Sequence, residues 1–194
     1  MKKNIIISGV GGQGILTIAT VIGTAALSEG LELKQAEVHG MSQRGGDVQS
    51  HLRLSSNAIA SDLIPEGKAD IIISIEPLES LRYVNMLHKK EGWLVTSMNP
   101  FNNIANYPPV EDVLNAIWEL PRYVTIDADR VAKDIGSIKA ANIVVLGAAS
   151  PFLDLKYESL EKAISTIFTK KGDDIVQLNL RALKAGKDYA NERT

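Results

Sequence analysis

The sequence predicts an α/β fold: a three-layer, Rossmann-like arrangement with a mostly parallel sheet and a helical carboxyl-terminal region. Three observations predict it. Consecutive isoleucines near the amino terminus lead into a glycine cluster at residues 4–14 (NIIISGVGGQG). Apolar, strand-like segments then alternate with segments of helical periodicity, as they do when helices cover a parallel sheet. Beyond about Ala128 only helical patterns remain.

Each predicted strand follows from a short apolar or alternating segment. The isoleucines of the first strand predict burial on both faces, as in the middle of a parallel sheet. Residues 47–54 (DVQSHLRL) alternate with a period of two, so this strand is expected to have a wetter face that carries His51 and Arg53, solvated or in an interface. Strands are predicted at about residues 3–8, 33–38, 47–54, 70–75, 93–98 and 123–127.

The predicted helices follow from apolar residues that recur at spacings of three and four. Gly30 is a suitable stop for the first helix, and Pro77 suits the first position of a later one. Helices are predicted at about residues 14–30, 76–87, 108–120, 140–150, 157–168 and from 173 onward. Because no linker or internal repeat interrupts the chain, residues 1–194 are expected to form a single domain.

Composition limits the class of protein. A chain of 194 residues can bury about 70% of its unfolded surface, so folding requires neither disulfides nor a metal. There are no cysteines, which excludes disulfides, thiolate zinc sites and cysteine-ligated iron–sulfur clusters in this chain. The net charge of −2 does not indicate a nucleic-acid binder, and no apolar run is long enough to span a membrane. We expect a cytoplasmic protein with no nucleic-acid or membrane partner.

The glycine cluster fits a dinucleotide-binding pattern only in part. Gly9, Gly11 and Gly14 match G-x-G-x-x-G between a strand and a helix, and a helix amino terminus attracts anions. The full fingerprint also requires an acidic residue at the end of the second strand. Glu32 precedes that strand, and Glu37 is followed by VHG. Three interpretations stay open: a simple strand-to-helix turn, a phosphate or carboxylate contact, and NAD binding.

A second loop, residues 39–46 (HGMSQRGG), follows the second strand. If the first two strands are parallel, this loop and the glycine cluster emerge at the same edge of the sheet, where ligands bind in open α/β folds. Arg44 would then suit a carboxylate, a phosphate or an acidic side chain of a partner. A surface ion pair, or hydrogen bonds to loop carbonyls, is the alternative for Arg44, and His39 is interpreted as a loop histidine bonded to backbone.

A third loop leads into the helix that begins at Pro77. Glu76 could cap that helix or meet Arg44 across the sheet edge, and Glu79 and Arg82 have the spacing of a helical ion pair. No Ser–His–Asp order, metal-ligand cluster or paired-acid motif is evident. A chain with a ligand-binding edge but no evident catalytic group is typical of one part of a larger enzyme.

Three segments resemble the gamma-type module of the 2-oxoacid:ferredoxin oxidoreductase family: GVGGQGILTIATVIGTAAL, EVHGMSQRGGDVQSHLRL and ADIIISIEPLESLR. Within that family, HGMSQRGG and the EPLE-x-LR helix are most similar to the beta subunits of indolepyruvate ferredoxin oxidoreductases. AANIVVLGA extends the resemblance into the carboxyl-terminal half, so it covers most of the chain.

The resemblance implies an accessory subunit of a two-subunit oxidoreductase. Such an enzyme oxidatively decarboxylates arylpyruvates to aryl-acetyl-CoA and carbon dioxide and reduces ferredoxin. Thiamine diphosphate, magnesium and the iron–sulfur clusters would belong to the large alpha subunit, with coenzyme A as cosubstrate. This chain would hold none of these cofactors alone and would be inactive alone.

The resemblance also implies which residues face the coenzyme A, the thiamine site or the partner subunit. Arg44 is the first candidate for an anion or partner contact, and Gln13 is the second. The full set is Gly11, Gly12, Gln13, Gly14, Ser42, Gln43, Arg44 and Gly45. No catalytic residue is assigned and no metal site is expected in this chain.

Three other interpretations stay open. The chain could be the gamma subunit of a sister enzyme that acts on pyruvate, 2-oxoglutarate or 2-oxoisovalerate, since substrate choice is expected to lie in the partner. It could be a free-standing NAD-dependent dehydrogenase, although it lacks the ribose-binding acid and a proton-transfer group. It could also be a noncatalytic anion-binding or assembly protein.

Overall fold

A six-stranded sheet forms the centre of the protein. The computed structural model describes residues 1–39, 46–102 and 104–193. The strands are β1 (Lys2–Val10), β2 (Glu32–His39), β3 (Asp47–Ser55), β4 (Ile71–Ser74), β5 (Trp93–Ser97) and β6 (Tyr123–Ile126). Their order is β2-β3-β1-β4-β5-β6, and only the pairings of β3 with β1 and with β2 are antiparallel. The predicted mostly parallel sheet is therefore confirmed.

Helices cover both faces of this sheet. They are α1 (Ile15–Ser28), α2 (Pro77–Leu81), α3 (Val110–Trp118), α4 (Ala128–Asp134), α5 (Ala141–Ala149), α6 (Tyr157–Phe168) and α7 (Asp173–Asn191). Ile5 and Ile7 of β1 point into a core formed with α1 and α4–α7, whereas Ile6 points into a smaller core that includes residues of α3. Successive side chains of a strand face opposite sides, so the isoleucine run serves both cores. The three-layer architecture and the helical carboxyl-terminal region are confirmed.

Strands β1, β2 and β4 end at the same edge of the sheet. β1 and β2 run in the same direction with β3 between them, and their last residues, Val10 and His39, pair with adjacent residues of β3. The backbone N–H of Ile75, just beyond β4, donates to the carbonyl oxygen of Ser8 at 3.1 Å. The expectation that the glycine cluster and the second loop emerge at the same edge is therefore correct.

The wetter face predicted for β3 is present only in part. Gln49 and Arg53 are half-buried between buried neighbours, as the alternation predicts, but His51 is not exposed. His51 is buried, and its Nδ1 accepts a hydrogen bond from the backbone N–H of Ile64 at 3.0 Å. The guanidinium of Arg53 donates to the carbonyl oxygens of Ser61 and Leu63 at 2.8 and 3.0 Å. The segment after β3 thus folds back over this face, and a pattern within the strand itself cannot predict such a cover.

The helix predicted at residues 76–87 is shorter than expected. α2 ends at Leu81, and a 3₁₀ turn follows at Val84–Met86. Ala69 forms a parallel bridge with Leu87, and its backbone N–H donates to the carbonyl oxygen of Met86 at 2.8 Å. This long-range pairing holds Leu87 in an extended conformation that a helix cannot adopt. Within the described ranges, no helix is both long and apolar enough to cross a membrane.

Candidate functional site

The glycine cluster forms a tight turn between β1 and α1 that is held by its own hydrogen bonds. The N–H of Gln13 donates to the carbonyl oxygen of Val10 at 3.1 Å, and the side-chain oxygen of Gln13 accepts from the N–H of Val10 at 2.7 Å. The N–H of Gly11 donates to the carbonyl oxygen of Gly46 at 2.9 Å, which ties the turn to the loop before β3. The oxygen of Gln13 is thus used inside the turn, although its side chain also borders a cleft.

Gly14 is the N-cap residue of α1, and its position requires glycine. Its φ is +82°, in the left-handed region, and a Cβ added there would lie 2.4 Å from Nδ2 of Asn142. The same Nδ2 donates to the carbonyl oxygen of Gly14 at 3.3 Å. The first-turn N–H groups of α1, at Ile15 and Leu16, have no acceptor within the helix and carry the positive end of its dipole.

A cleft of about 560 Å³ opens in front of this helix start. Its lining also includes the first residues of α5, Ala141 and Asn142, and two exposed lysines, Lys139 and Lys171. The described residues that line it are Gly12, Gln13, Gly14, Thr17, Ile75, Asp129, Ser137, Ile138, Lys139, Ala140, Ala141, Asn142, Phe168, Lys171, Ile175, Leu178 and Asn179. One carboxylate, Asp129, faces two ammonium groups and a helix amino terminus. This combination suits an anionic ligand, and phosphate groups in particular.

The structure brings together only part of the predicted site. Gly12, Gln13 and Gly14 line the cleft, and Gly11 anchors the turn from behind. Ser42, Gln43, Arg44 and Gly45 lie outside the described residues. The flanking positions, His39 and Gly46, bring the ends of that segment to the same edge as the glycine cluster.

The third loop contains two buried carboxylates in close association. Glu76 caps α2, its Oε2 accepting from the N–H of Glu79 at 2.7 Å, while its Oε1 accepts from the N–H of Phe101 at 3.3 Å and from the hydroxyl of Tyr107. The expected helical ion pair is present: Nε of Arg82 lies 2.8 Å from Oε2 of Glu79. Of the two alternatives predicted for Glu76, capping of α2 is confirmed; its other predicted partner, Arg44, lies outside the described residues.

Burial dominates the electrostatics of this cluster. It raises the pKa of Glu79; Arg82 opposes this shift, and the nearby carboxylates of Glu76 and Asp47 add to it. Burial, followed by the hydrogen bond to Glu76, also raises the pKa of the Tyr107 hydroxyl. Glu76 and Tyr107 therefore act as a structural tie between α2 and the segment after β5.

Several residues at this edge could not be selected from sequence patterns. Asn142, Lys139 and Lys171 lie more than a hundred residues from the glycine cluster, and no spacing rule connects them to it. Tyr107 follows an irregular segment with no periodicity. A polar Asn inside the otherwise apolar start of AANIVVLGA was the one available signal for Asn142.

The geometry disfavours a dinucleotide site. In the dinucleotide fold, the strand after the first helix lies beside the first strand and carries the ribose-binding acid. Here β3 separates β2 from β1, so Glu37 lies two strands away from the glycine turn. Its Oε1 also accepts from the side-chain amide of Gln35 at 2.5 Å. Glu32 lies at the opposite end of β2.

Comparison with known proteins gives a consistent family. Residues 4–189 match the family model described as pyruvate ferredoxin/flavodoxin oxidoreductase. The chain is 37% identical to indolepyruvate oxidoreductase subunit IorB of Archaeoglobus fulgidus, over 98% of this chain and 96% of that protein. It is 38% identical to the IorB subunit of Thermococcus kodakarensis, over 99% and 98%. It is 29% identical to 2-oxoglutarate synthase subunit KorC of Methanocaldococcus jannaschii, over 99% and 96%.

Solved structures share the fold. The 2-oxoglutarate:ferredoxin oxidoreductase from Magnetococcus marinus, solved with 2-oxoglutarate, coenzyme A and succinyl-CoA bound, superposes with a TM-score of 0.79 at 23% identity. All of this chain is covered, but it spans about a third (32%) of the length of that protein. Pyruvate oxidoreductase subunit PORC from Thermotoga maritima superposes with a TM-score of 0.73 at 22% identity, over 97% of this chain and 96% of that one.

Proposed function

Because the chain belongs to the pyruvate ferredoxin/flavodoxin oxidoreductase family, we propose that it is the small subunit of an indolepyruvate ferredoxin oxidoreductase. The complex would oxidatively decarboxylate arylpyruvates to aryl-acetyl-CoA and carbon dioxide. The electrons released at the oxo-group carbon of the arylpyruvate would pass to ferredoxin, the electron acceptor. The chain would act in the cytoplasm, as one gamma-type domain over residues 1–194.

One observation carries this proposal. Identity to IorB subunits is 36–38% over nearly the full length of both chains, whereas identity to the 2-oxoglutarate synthase subunit of Methanocaldococcus jannaschii falls to 29% over a similar length. The indolepyruvate branch is therefore favoured over the sister enzymes that act on other 2-oxoacids.

The residue inventory supports a division of labour between subunits. With no cysteine among its 194 residues, the chain has no thiolate to ligate an iron–sulfur cluster. Among the residues that the structure describes, no group of three His, Asp or Glu side chains could hold a metal ion. We assign thiamine diphosphate, its magnesium ion and the clusters to a large alpha subunit, through which ferredoxin is reduced, and we expect this chain alone to be inactive.

The cleft at the glycine turn is the proposed site for coenzyme A. The phosphate groups of coenzyme A are multiply anionic, and they match the amino terminus of α1 and the ammonium groups of Lys139 and Lys171. Gly11, Gly12, Gln13 and Gly14 would form one side of this site. Ser42, Gln43, Arg44 and Gly45 would extend the same edge toward the thiamine site or the partner. The role of this chain would be to bind and orient the acceptor thiol carrier, with the redox chemistry in the partner.

Coexpression with the large subunit tests the proposal. A tagged form of this chain should copurify a larger, brown partner that contains thiamine diphosphate. The complex should reduce a dye that accepts electrons in place of ferredoxin when it is given indolepyruvate or phenylpyruvate together with coenzyme A. Each subunit alone should give no reduction.

Two results would contradict the proposal. Faster reduction with pyruvate, 2-oxoglutarate or 2-oxoisovalerate would move the chain to a sister enzyme. Recovery of the chain alone, without a partner under gentle conditions, would favour a free-standing anion-binding protein.

A further inference from the structure

A second groove, of about 540 Å³, lies along the outer strand β6 and shares no residue with the cleft at the glycine turn. It includes the first residues of β5 and β6, whereas the glycine turn lies at the last residues of β1. The described residues that line it are Trp93, Trp118, Pro121, Arg122, Tyr123, Val124, Thr125, Tyr189 and Arg193. We call it the β6 groove.

Two aromatic walls of the β6 groove are fixed by hydrogen bonds to one residue. The indole N–H of Trp118, at the end of α3, donates to Oγ1 of Thr125 at 3.2 Å. The hydroxyl of Tyr189, from α7, donates to the carbonyl oxygen of Thr125 at 2.9 Å. Trp118 nevertheless remains 42% exposed, and Tyr123 beside it 37% exposed. Rings that are held in place and left open to solvent are suited to stack against a planar ligand.

The charged side chains that line the β6 groove are both positive. Its lining contains two guanidinium groups and, among the described residues, no carboxylate, in a chain whose net charge is −2. Arg122 is exposed, with its guanidinium 5.8 Å from the ring centre of Trp93. Arg193 lies 3.7 Å from the ring centre of Tyr189; its neighbour Glu192 is 3.6 Å away and exposed, so that ion pair is weak. Nη1 of Arg193 also donates to the carbonyl oxygen of Tyr189 at 3.3 Å. A guanidinium has five N–H donors, so both arginines retain donors for an anion that enters the groove.

The groove is less suited to a peptide strand. An added strand would pair with the outer edge of β6, where it would need the free carbonyl groups of that edge. The carbonyl oxygen of Thr125 already accepts from Tyr189, whose side chain reaches the edge of the strand. The volume lies in the range of small-molecule sites, which combine apolar walls with a few polar groups.

From these contacts we propose that the β6 groove binds a small aromatic carboxylate. The ring stacks on the exposed face of Trp118 or Tyr123, and the carboxylate pairs with the guanidinium of Arg122, assisted by Arg193. This site is separate from the proposed coenzyme A cleft and does not depend on the proposed function. It requires no partner subunit, so the full-length chain alone can be tested.

The two tryptophans of the chain give a direct readout, because both Trp93 and Trp118 line the groove. Titration with phenylacetate should change the tryptophan fluorescence saturably. The neutral analogue phenylacetamide should bind at least about tenfold more weakly, because it cannot pair with a guanidinium. The variant that combines Arg122→Gln with Arg193→Gln should bind phenylacetate more weakly by a similar factor. Arg122→Lys should retain part of the affinity for phenylacetate.

A matched control is Arg181→Gln, which removes an exposed arginine of α7 outside the groove and should leave the affinity unchanged. Circular dichroism establishes that each variant is folded. A linear, unsaturable response to phenylacetate would overturn the proposal. So would equal affinity for phenylacetate and phenylacetamide, or unchanged affinity in the folded double variant.

Discussion

The side-chain amide of Asn142 donates to the carbonyl oxygen of Gly14 at 3.3 Å, across 128 positions of sequence. This bond joins the start of α1 to the start of α5, and residues at both helix starts line the cleft. The contact is so close that a methyl group on Gly14 would overlap the amide nitrogen. The lining of the proposed coenzyme A site therefore includes a hydrogen-bonded pair of residues from opposite halves of the chain.

Gly14→Ala should destabilise the protein through both strain and collision. A non-glycine residue in the left-handed region lowers the free energy of unfolding by about 1–2 kcal/mol. The overlap with Asn142 should lower it by about 1 kcal/mol or more in addition. Urea unfolding measures the sum. Gly30→Ala is the matched control, since Gly30 has a similar φ of +75° and no atom within 4 Å of its added Cβ. Equal losses in the two variants would show that the Asn142 contact is unimportant.

The close crossing of α5 and α7 should tolerate no side chain. A Cβ on Gly186 would lie 1.9 Å from the carbonyl oxygen of Val144, and one on Gly147 would lie 2.1 Å from that of Leu183. These neighbours are backbone atoms and cannot rotate away, so either alanine substitution should cost about 3 kcal/mol or more in urea unfolding. Gly23→Ala meets only the tip of Leu33, at 3.1 Å, and should cost clearly less. A loss from Gly186→Ala no larger than that from Gly23→Ala would contradict this account of the crossing.

Local patterns predicted the kinds of elements but not how they meet. The isoleucine run of β1 and the helical period of α6 are visible in short windows, and both elements form as expected. The insertion of β3 between β1 and β2 is a choice among strand pairings, which a period of two does not specify. Likewise, the cover over His51 and the early end of α2 depend on contacts with residues far along the chain.

As with the fold, the local part of the candidate site could be predicted from the sequence, but its long-range contacts could not. The glycine turn has a local signature, so Gly12, Gln13 and Gly14 could be selected from the sequence. Lys139, Lys171 and Asn142 reach the cleft only because α5 and α7 fold back against the sheet. No motif encodes that approach, and the lysines in the lining of the cleft therefore emerged only from the structure.

Acidification should weaken the fold through His51. Burial lowers the pKa of His51 below its ordinary value of 6.5; the carboxylate of Asp62 opposes this shift, and Arg53 adds to it. The folded chain thus keeps the imidazole neutral, with Nδ1 accepting from Ile64, while the unfolded chain takes up a proton near pH 6.5. The stabilising contribution is complete above that pH and is lost as the pH falls from there through the lowered folded pKa.

Urea unfolding at about pH 8 and at about pH 5.5 measures this loss. His51→Gln, which has no imidazole to protonate, should show a smaller decrease in unfolding free energy between the two pH values. Its stability at the higher pH will also report the value of the His51–Ile64 contact. The same decrease in both proteins would mean that other groups account for the acid sensitivity.

Removal of the two lysines at the cleft should weaken the use of coenzyme A without affecting assembly. In the complex with the large subunit, Lys139→Gln or Lys171→Gln should raise the KM for coenzyme A about threefold to tenfold, because each loses a charge-assisted contact with phosphate. The combined variant should raise the KM for coenzyme A further. The difference in KM from wild type should shrink at high salt, because exposed charges are screened. Lys162→Gln, an exposed lysine of α6 outside the cleft, is the control and should behave as wild type. Circular dichroism checks the fold of each variant, because Lys171 lies 5.2 Å from the ring centre of the buried Phe168. An unchanged KM for coenzyme A in the folded combined variant would place the coenzyme elsewhere.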